Sequence, residues 1–171
     1  MSAALTAPFL VAGTLLVVSG LSKLRSPGVA AQALLVLGAP VGRSLVRVGA
    51  VLETALGALA LISGGRAVAI AVAAAFAVFA GVGLALARRR VACGCFGSHE
   101  APATRAQALA SVALSGLCIA AAVGSPGGVG WVLDRGPASA AVLGLAIAAC
   151  VYGTVVAYTE LPAAWEAWSG R

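Results

Sequence analysis

Residues 93–99, with the sequence CGCFGSH, hold the residue types best suited to chemistry in this chain. Two cysteines separated by one residue can close a small disulfide ring, and Gly94 supplies the unusual backbone angles that such a ring requires. Because the ring is strained, its disulfide is reduced more easily than a structural one. The spacing therefore predicts a redox-active thiol pair formed by Cys93 and Cys95.

Positive charge around the pair favours the reactive thiolate form. Arg88, Arg89 and Arg90 precede the pair, and Thr104 is placed to cap a following helix whose positive N-terminal end lies near the thiols. His99 is the lone histidine of the chain. Because imidazole titrates near neutral pH, His99 is a candidate proton acceptor for a thiol.

A metal site and a purely structural turn are the alternatives for the same segment. Cys93, Cys95 and His99 offer two sulfurs and one nitrogen, which suit Cu(I), Zn(II) or Hg(II). The spacing is not a standard zinc pattern, however, a fourth ligand is missing, and the neighbouring arginines disfavour a cation. The sequence favours redox chemistry and leaves open a membrane module that binds or transports a soft metal.

The composition around this segment is that of a membrane scaffold. Of the 171 residues, 61% are hydrophobic and only 9% are charged, whereas a soluble domain carries about 25% charged residues. Apolar runs of about 18 residues predict transmembrane spans, and in lipid these must be helices because each segment has to satisfy its own backbone. Five runs qualify, at residues 5–21, 45–63, 67–87, 106–123 and 138–158.

These runs predict an all-α fold, an integral membrane helical bundle of about five transmembrane helices, four of which could form the core. Residues 1–171 are expected to form a single domain. Residues 29–37 are too short to span and should lie at the interface or pack as a half-helix. The tail, residues 161–171, carries Trp165 and Trp168 and should lie at the membrane surface. No positive charge precedes the first run, so we interpret it as a retained helix rather than a signal peptide.

Five spans gather most of the chemistry at one end of the bundle, here called side A. Side A receives the cysteine pair and most of the basic residues: Lys23, Arg25, Arg43, Arg88, Arg89, Arg90 and Arg105. The formal net charge of +6 comes from residues that flank helices, so it is no signal for nucleic-acid binding. By the positive-inside rule, Cys93 and Cys95 should lie on the cytoplasmic face of a multi-pass cell-membrane protein. Membrane lipid is an expected partner, and self-association is left open.

Glu53 is a carboxylate inside the second span, about nine residues or roughly 13 Å below side A. A charge at that depth needs a partner or a water-filled cavity. Lys23 is favoured as the partner because its long side chain can reach down from the first span, whereas Arg47 is not an i−3 or i−4 neighbour. Two roles stay open for the pair: fixing the two helices together, or carrying a proton beside the thiols.

Cys118 and Cys150 lie inside the fourth and fifth spans. A cysteine within a helix is most often a small apolar filler. The alternative is a second thiol pair that relays electrons inward, which requires the two helices to be neighbours with the cysteines at matched heights.

Three segments of the chain resemble the MauE branch of the DoxX/MauE superfamily of redox-associated membrane proteins. They are SGLSKLR at residues 19–25, Leu52-Glu53 with Gly57, and CGCFG at residues 93–97. The resemblance implies a role in thiol–disulfide exchange for exported proteins, beside a thioredoxin-like partner, as in the maturation of methylamine dehydrogenase. It also implies that Cys93 and Cys95 are the redox pair and that Lys23 and Glu53 support them.

The predicted function is that of a membrane thiol–disulfide oxidoreductase, with a quinone as one candidate electron carrier. Few aromatic residues are predicted near side A, so the sequence does not indicate a quinone pocket. A non-catalytic membrane subunit that recruits a soluble oxidoreductase is a further alternative. Disulfides of exported proteins form outside the cytoplasm, whereas the charge bias places the thiols inside. Either electrons cross the membrane, which would employ Cys118 and Cys150, or the arginines bind a partner or a quinone headgroup region and the charge rule does not hold.

Overall fold

The computed structural model describes residues 2–92, 103–160 and 168, and these form seven helices. The helices are α1 (Ser2–Arg25), α2 (Pro27–Val36), α3 (Arg43–Ile62), α4 (Arg66–Arg89), α5 (Arg105–Val123), α6 (Val129–Leu133) and α7 (Pro137–Thr159). Five of them, α1, α3, α4, α5 and α7, are long and apolar enough to cross a membrane. The fold is an all-α membrane helical bundle, which confirms the predicted fold class.

Local sequence explains where the helices begin and end near side A. Helix α1 contains Pro8 and runs on to Arg25, four residues beyond the predicted span. It ends there because the next proline, Pro27, opens α2 at its first turn. Helix α4 ends at Arg89, and Arg90 takes a left-handed conformation with φ 54°. Helix α5 begins with the predicted cap. The Thr104 hydroxyl accepts a hydrogen bond from the backbone N–H of Gln107, and the Gln107 side chain accepts one from the N–H of Thr104.

Four helices form the core of the bundle and α7 packs on its outside. Helix α1 packs along α3, and α4 packs along α5. Half of the most apolar 18-residue window of α1 is buried, but only 6% of that of α7. The buried centre joins α1, α4 and α5 through Phe9, Leu16, Val72, Phe76 and Cys118. The four-helix core allowed by the sequence is therefore α1, α3, α4 and α5.

Glycines bring α1 and α3 into close contact. A methyl group added at Gly57 would lie 2.6 Å from the carbonyl oxygen of Gly13, and one at Gly20 would lie 2.8 Å from the carbonyl oxygen of Ala50. Both distances are too short for a real side chain, so the backbones can approach this closely only with glycine at these positions. The contact sets the distance between side chains farther along the same two helices.

The two short helices close opposite ends of the bundle. Helix α2 matches the half-helix expected at residues 29–37 and packs against α3. Helix α6 lies at the end opposite side A, in a segment that the sequence predicts only as a loop; five residues are too few for a detectable apolar period. The predicted interfacial tail, residues 161–171, lies outside the described residues apart from Trp168.

Candidate functional site

Lys23 and Glu53 form a buried ion pair between α1 and α3. Lys23 Nζ donates a hydrogen bond to Glu53 Oε2 at 2.6 Å, and the two side chains are only 12% and 8% exposed. The sequence favours this pairing, and the side chain of the alternative partner, Arg47, is exposed. Because both charges are removed from solvent, each depends on the other for its stability.

The ammonium group of Lys23 has further partners. It donates to Ser19 Oγ at 3.0 Å, one turn earlier in α1, and lies 4.5 Å from the centre of the Phe79 ring of α4. An ammonium group carries three N–H donors. The Ser19 hydroxyl, the Glu53 carboxylate and the face of the Phe79 ring together give each donor a partner. The cation is thereby fixed at the junction of α1, α3 and α4.

Glu53 is less completely satisfied than Lys23. Its second oxygen, Oε1, is buried and has no hydrogen-bond partner among the residues that the structure describes. A buried charged oxygen that lacks a donor costs free energy. The carboxylate therefore has unused capacity to accept a hydrogen bond.

A cavity of about 510 Å³ lies beside the ion pair, with Lys23 and Glu53 in its wall. The rest of the wall is apolar and comes from α2, α3 and α4, including Leu34, Leu45, Leu56, Val78 and Phe79. Its volume falls in the range of small-molecule sites, about 300–1,000 Å³. An apolar cavity with one charged cluster can bind an amphiphilic molecule by its polar end.

The cysteine segment is anchored close to this cavity. Cys93, Cys95 and His99 lie outside the described residues, but the two ends of their segment are held together by a 3.0 Å hydrogen bond from Ala103 N to Val91 O. Val91 and Ala103 pack in an apolar cluster whose other members are Ala33, Leu37, Val82, Leu86 and Ala87. Ala33 and Val82 also line the cavity. The segment that carries the thiols therefore leaves and re-enters the bundle at one wall of the cavity.

Further contacts hold the helices around these two anchor points. Arg89 donates to the carbonyl oxygen of Val36, which ties the end of α4 to the end of α2. On the other side, Gln107 Nε2 donates to Tyr158 O at 2.8 Å, and Tyr158 OH donates to Gln107 O at 3.0 Å. The same glutamine thus caps α5 and ties it to α7.

Cys118 and Cys150 occupy different environments. Both are free thiols. Cys118 is completely buried in the core, whereas Cys150 has an exposed side chain on α7. The electron relay between them stays a prediction.

Among the described residues, no group of three or more His, Cys, Asp and Glu side chains could hold a metal ion. The soft-metal alternative depends on Cys93, Cys95 and His99, which lie outside that part of the chain, so it too stays a prediction.

Sequence reasoning did not identify Ser19 or Phe79 as part of this site, nor the cavity itself. Ser19 could have been found, because it lies four residues before Lys23 and shares its helix face. Phe79 carries no comparable signal, since a single aromatic residue in an apolar span is usually packing. Its position over Lys23 depends on how α4 packs against α1 and α3.

Comparison with known proteins identifies one family. The family described as "Methylamine utilisation protein MauE" matches residues 1–126, a range that includes both halves of the ion pair and the whole cysteine segment. No curated protein and no solved structure matches the chain.

Proposed function

This chain belongs to the MauE family, and on that premise we propose that it is a membrane thiol–disulfide oxidoreductase. Cys93 and Cys95 exchange two electrons with a thioredoxin-fold partner in support of disulfide formation in exported proteins. The observation that carries the proposal is the anchoring of the cysteine segment. The Val91–Ala103 hydrogen bond joins the two ends of the segment that carries the CGC sequence, next to Arg90 and the capped start of α5.

The surroundings of the two anchor points suit thiol chemistry. The side chains of Arg88, Arg89, Arg90 and Arg105 are exposed on either side of the segment. The first turn of α5 contributes the positive end of the helix dipole. Together these charges favour a thiolate, which is the nucleophile in disulfide exchange.

The exchange proceeds through a mixed disulfide. The Cys95 thiolate attacks a disulfide of the partner, an S–S bond forms between the two proteins, and one partner sulfur leaves as a thiolate. Cys93 then attacks Cys95, which closes the Cys93–Cys95 disulfide and releases the partner as a dithiol. The same steps in reverse oxidise a partner dithiol and reduce the pair. In both directions two electrons pass between the proteins.

Trapping the mixed disulfide tests the proposal. The background is the full chain with Cys118→Ala and Cys150→Ala, so that only the proposed pair carries thiols. Adding Cys93→Ser removes the resolving thiol, and the single remaining cysteine should then accumulate a covalent complex with a thioredoxin-fold protein in cells. The complex should disappear on reduction with dithiothreitol.

The matched control is the parent background with both Cys93 and Cys95 intact, which should give little trapped complex because resolution is fast. If cells with Cys93→Ser and Cys95→Ser together keep the client proteins as fully disulfide-bonded as the parent does, the proposed function is wrong.

A further inference from the structure

We propose that the cavity between α2, α3 and α4 binds a lipid-soluble hydroquinone, with one phenolic hydroxyl donating to Glu53 and the ring beside Phe79. The inference rests on the proposed function, because the hydroquinone is the reduced form of the electron carrier that would serve the thiol pair. It assigns a ligand, a binding site and a preferred redox state that the family description does not contain.

The unpaired oxygen of Glu53 defines what the ligand must offer. Glu53 Oε1 is buried and lacks a donor in the part of the chain that the structure describes, while Oε2 already binds Lys23. The three N–H groups of Lys23 are directed to Glu53, Ser19 and the Phe79 ring. The site therefore needs a hydrogen-bond donor. Among the described residues that line the cavity, Lys23 is the one cation, and it is already engaged. A hydroquinone supplies a donor, whereas a quinone carries only acceptors.

The walls of the cavity define the rest of the ligand. Apart from Lys23 and Glu53, the side chains that line its 510 Å³ are apolar. Water would find few hydrogen-bond partners there, whereas a hydrocarbon chain needs none. Phe79 lies in the wall beside the ion pair, where an aromatic ring can pack against it in an offset or edge-on arrangement. An amphiphile with an aromatic, hydroxyl-bearing head fits the buried acceptor, the apolar walls and the Phe79 ring.

A small motion brings the acceptor to the ligand. The terminal torsion of a glutamate side chain is broad, so a partial rotation of the Glu53 carboxylate can turn its buried Oε1 towards the cavity while Oε2 keeps Lys23. The hydrogen bond from a phenol to a charged oxygen is one of the stronger types in proteins. The bound hydroquinone would thus give the second oxygen of Glu53 the hydrogen bond that it lacks among the described residues.

The redox step that links the site to the thiols is balanced. Cys93 and Cys95 lose two S–H bonds and gain one S–S bond, and the two electrons and two protons reduce the two carbonyl groups of a quinone to hydroxyls. Since the site prefers the hydroquinone product, binding favours oxidation of the dithiol. The anchor residues Val91 and Ala103 share their apolar cluster with Val82, which lines the cavity, so both ends of the cysteine segment start from this wall.

The test is anaerobic calorimetry on the full-length protein in detergent with three probes that share one tail. They are 2,3-dimethoxy-5-methyl-6-decyl-1,4-benzohydroquinone, the corresponding benzoquinone, and the dimethyl ether of the hydroquinone, which has no donor. The hydroquinone should bind about tenfold or more tightly than the dimethyl ether, the gain expected from one hydrogen bond to a charged group. The quinone should bind as weakly as the ether.

A matched pair of variants locates the site. Gly49 lies in the cavity wall, and a Cβ atom added there meets no atom within 4 Å, so Gly49→Phe can begin its side chain without a backbone clash. Gly81 of α4 is equally open and does not line the cavity. Gly49→Phe should weaken hydroquinone binding at least tenfold, and Gly81→Phe should leave it unchanged.

Several results would overturn the inference. Equal binding of all three probes would mean that the cavity takes any apolar chain. Failure of the hydroquinone to displace co-purified phospholipid would mean that the cavity prefers lipid to hydroquinone. Unchanged binding in Gly49→Phe would place the ligand elsewhere. Titrating the Cys93→Ser/Cys95→Ser variant separates this inference from the proposed function, because hydroquinone should still bind without the thiols. A trapped mixed disulfide without hydroquinone binding would contradict the cavity assignment alone. Hydroquinone binding without a trapped mixed disulfide would contradict the thiol exchange alone.

Discussion

Lys23 and Glu53 lie thirty residues apart in the chain and meet at 2.6 Å inside the bundle. The contact exists because Gly20 and Gly57 let α1 and α3 approach closely just below it. It joins the two helices and also forms the polar part of an otherwise apolar cavity. One pair of side chains therefore connects the packing of the fold to its candidate site.

Replacing one member of the Lys23–Glu53 ion pair should destabilise the protein more than replacing both. Glu53→Leu leaves the Lys23 cation buried without its partner, and Lys23→Met does the same to the carboxylate, so each should cost about 3–5 kcal/mol. The double variant Lys23→Met/Glu53→Leu should recover most of that loss because no unpaired charge remains. Reversible unfolding in mixed micelles measures all four members of the cycle. A double variant that loses the sum of the two single losses would show that the side chains act independently.

Close contact between α1 and α3 should make Gly57 intolerant of any side chain. Gly57→Ala places a methyl group 2.6 Å from the backbone oxygen of Gly13, which cannot move without separating the helices, so we expect a loss of about 1–3 kcal/mol. Gly116→Ala on the exposed face of α5 is the control, because a methyl group there meets nothing within 4 Å. Thermal melting in detergent compares the two. Equal melting temperatures would argue against a glycine-dependent contact.

The sequence predicts the scaffold well because membrane helices can be identified from the length and composition of apolar runs. The five spanning helices, the cap at Thr104 and the pairing of Lys23 with Glu53 all follow from hydropathy, capping chemistry and the cost of a buried charge. The cavity and Phe79 could not be predicted in the same way. They depend on how α2 and α4 pack against α3, and this packing leaves no periodic pattern in the sequence.

The two free thiols within the helices should differ sharply in reactivity. Cys118 is completely buried in the core and Cys150 is exposed on α7. In a Cys93→Ser/Cys95→Ser background in detergent micelles, N-ethylmaleimide, a small apolar reagent, should modify Cys150 slowly in folded protein and reach Cys118 only after denaturation. Intact mass spectrometry counts the adducts. Two adducts on folded protein would contradict the buried position of Cys118, and a Cys118–Cys150 disulfide formed by mild oxidation would support the electron relay instead.

The basic residues at side A predict that the cysteine pair faces the cytoplasm. A membrane-impermeant maleimide applied to intact cells after mild reduction should therefore leave Cys93 and Cys95 unlabelled in a Cys150→Ala background, and should label them once the membrane is permeabilised. The variant Arg66→Cys, at the opposite end of the bundle, serves as the reciprocal control. Labelling of the pair in intact cells would show that the arginines near Cys93 do not set the topology.

A redox titration of the Cys93–Cys95 pair tests the central claim most directly. The full chain with Cys118→Ala and Cys150→Ala is equilibrated in glutathione buffers of defined potential, quenched with acid and alkylated with a maleimide that adds mass. We expect a single two-electron transition in which zero or two alkyl groups are added, because the thiols open and close as one disulfide. Both cysteines remaining alkylated at every potential, or each titrating separately as a mixed disulfide with glutathione, would contradict the account.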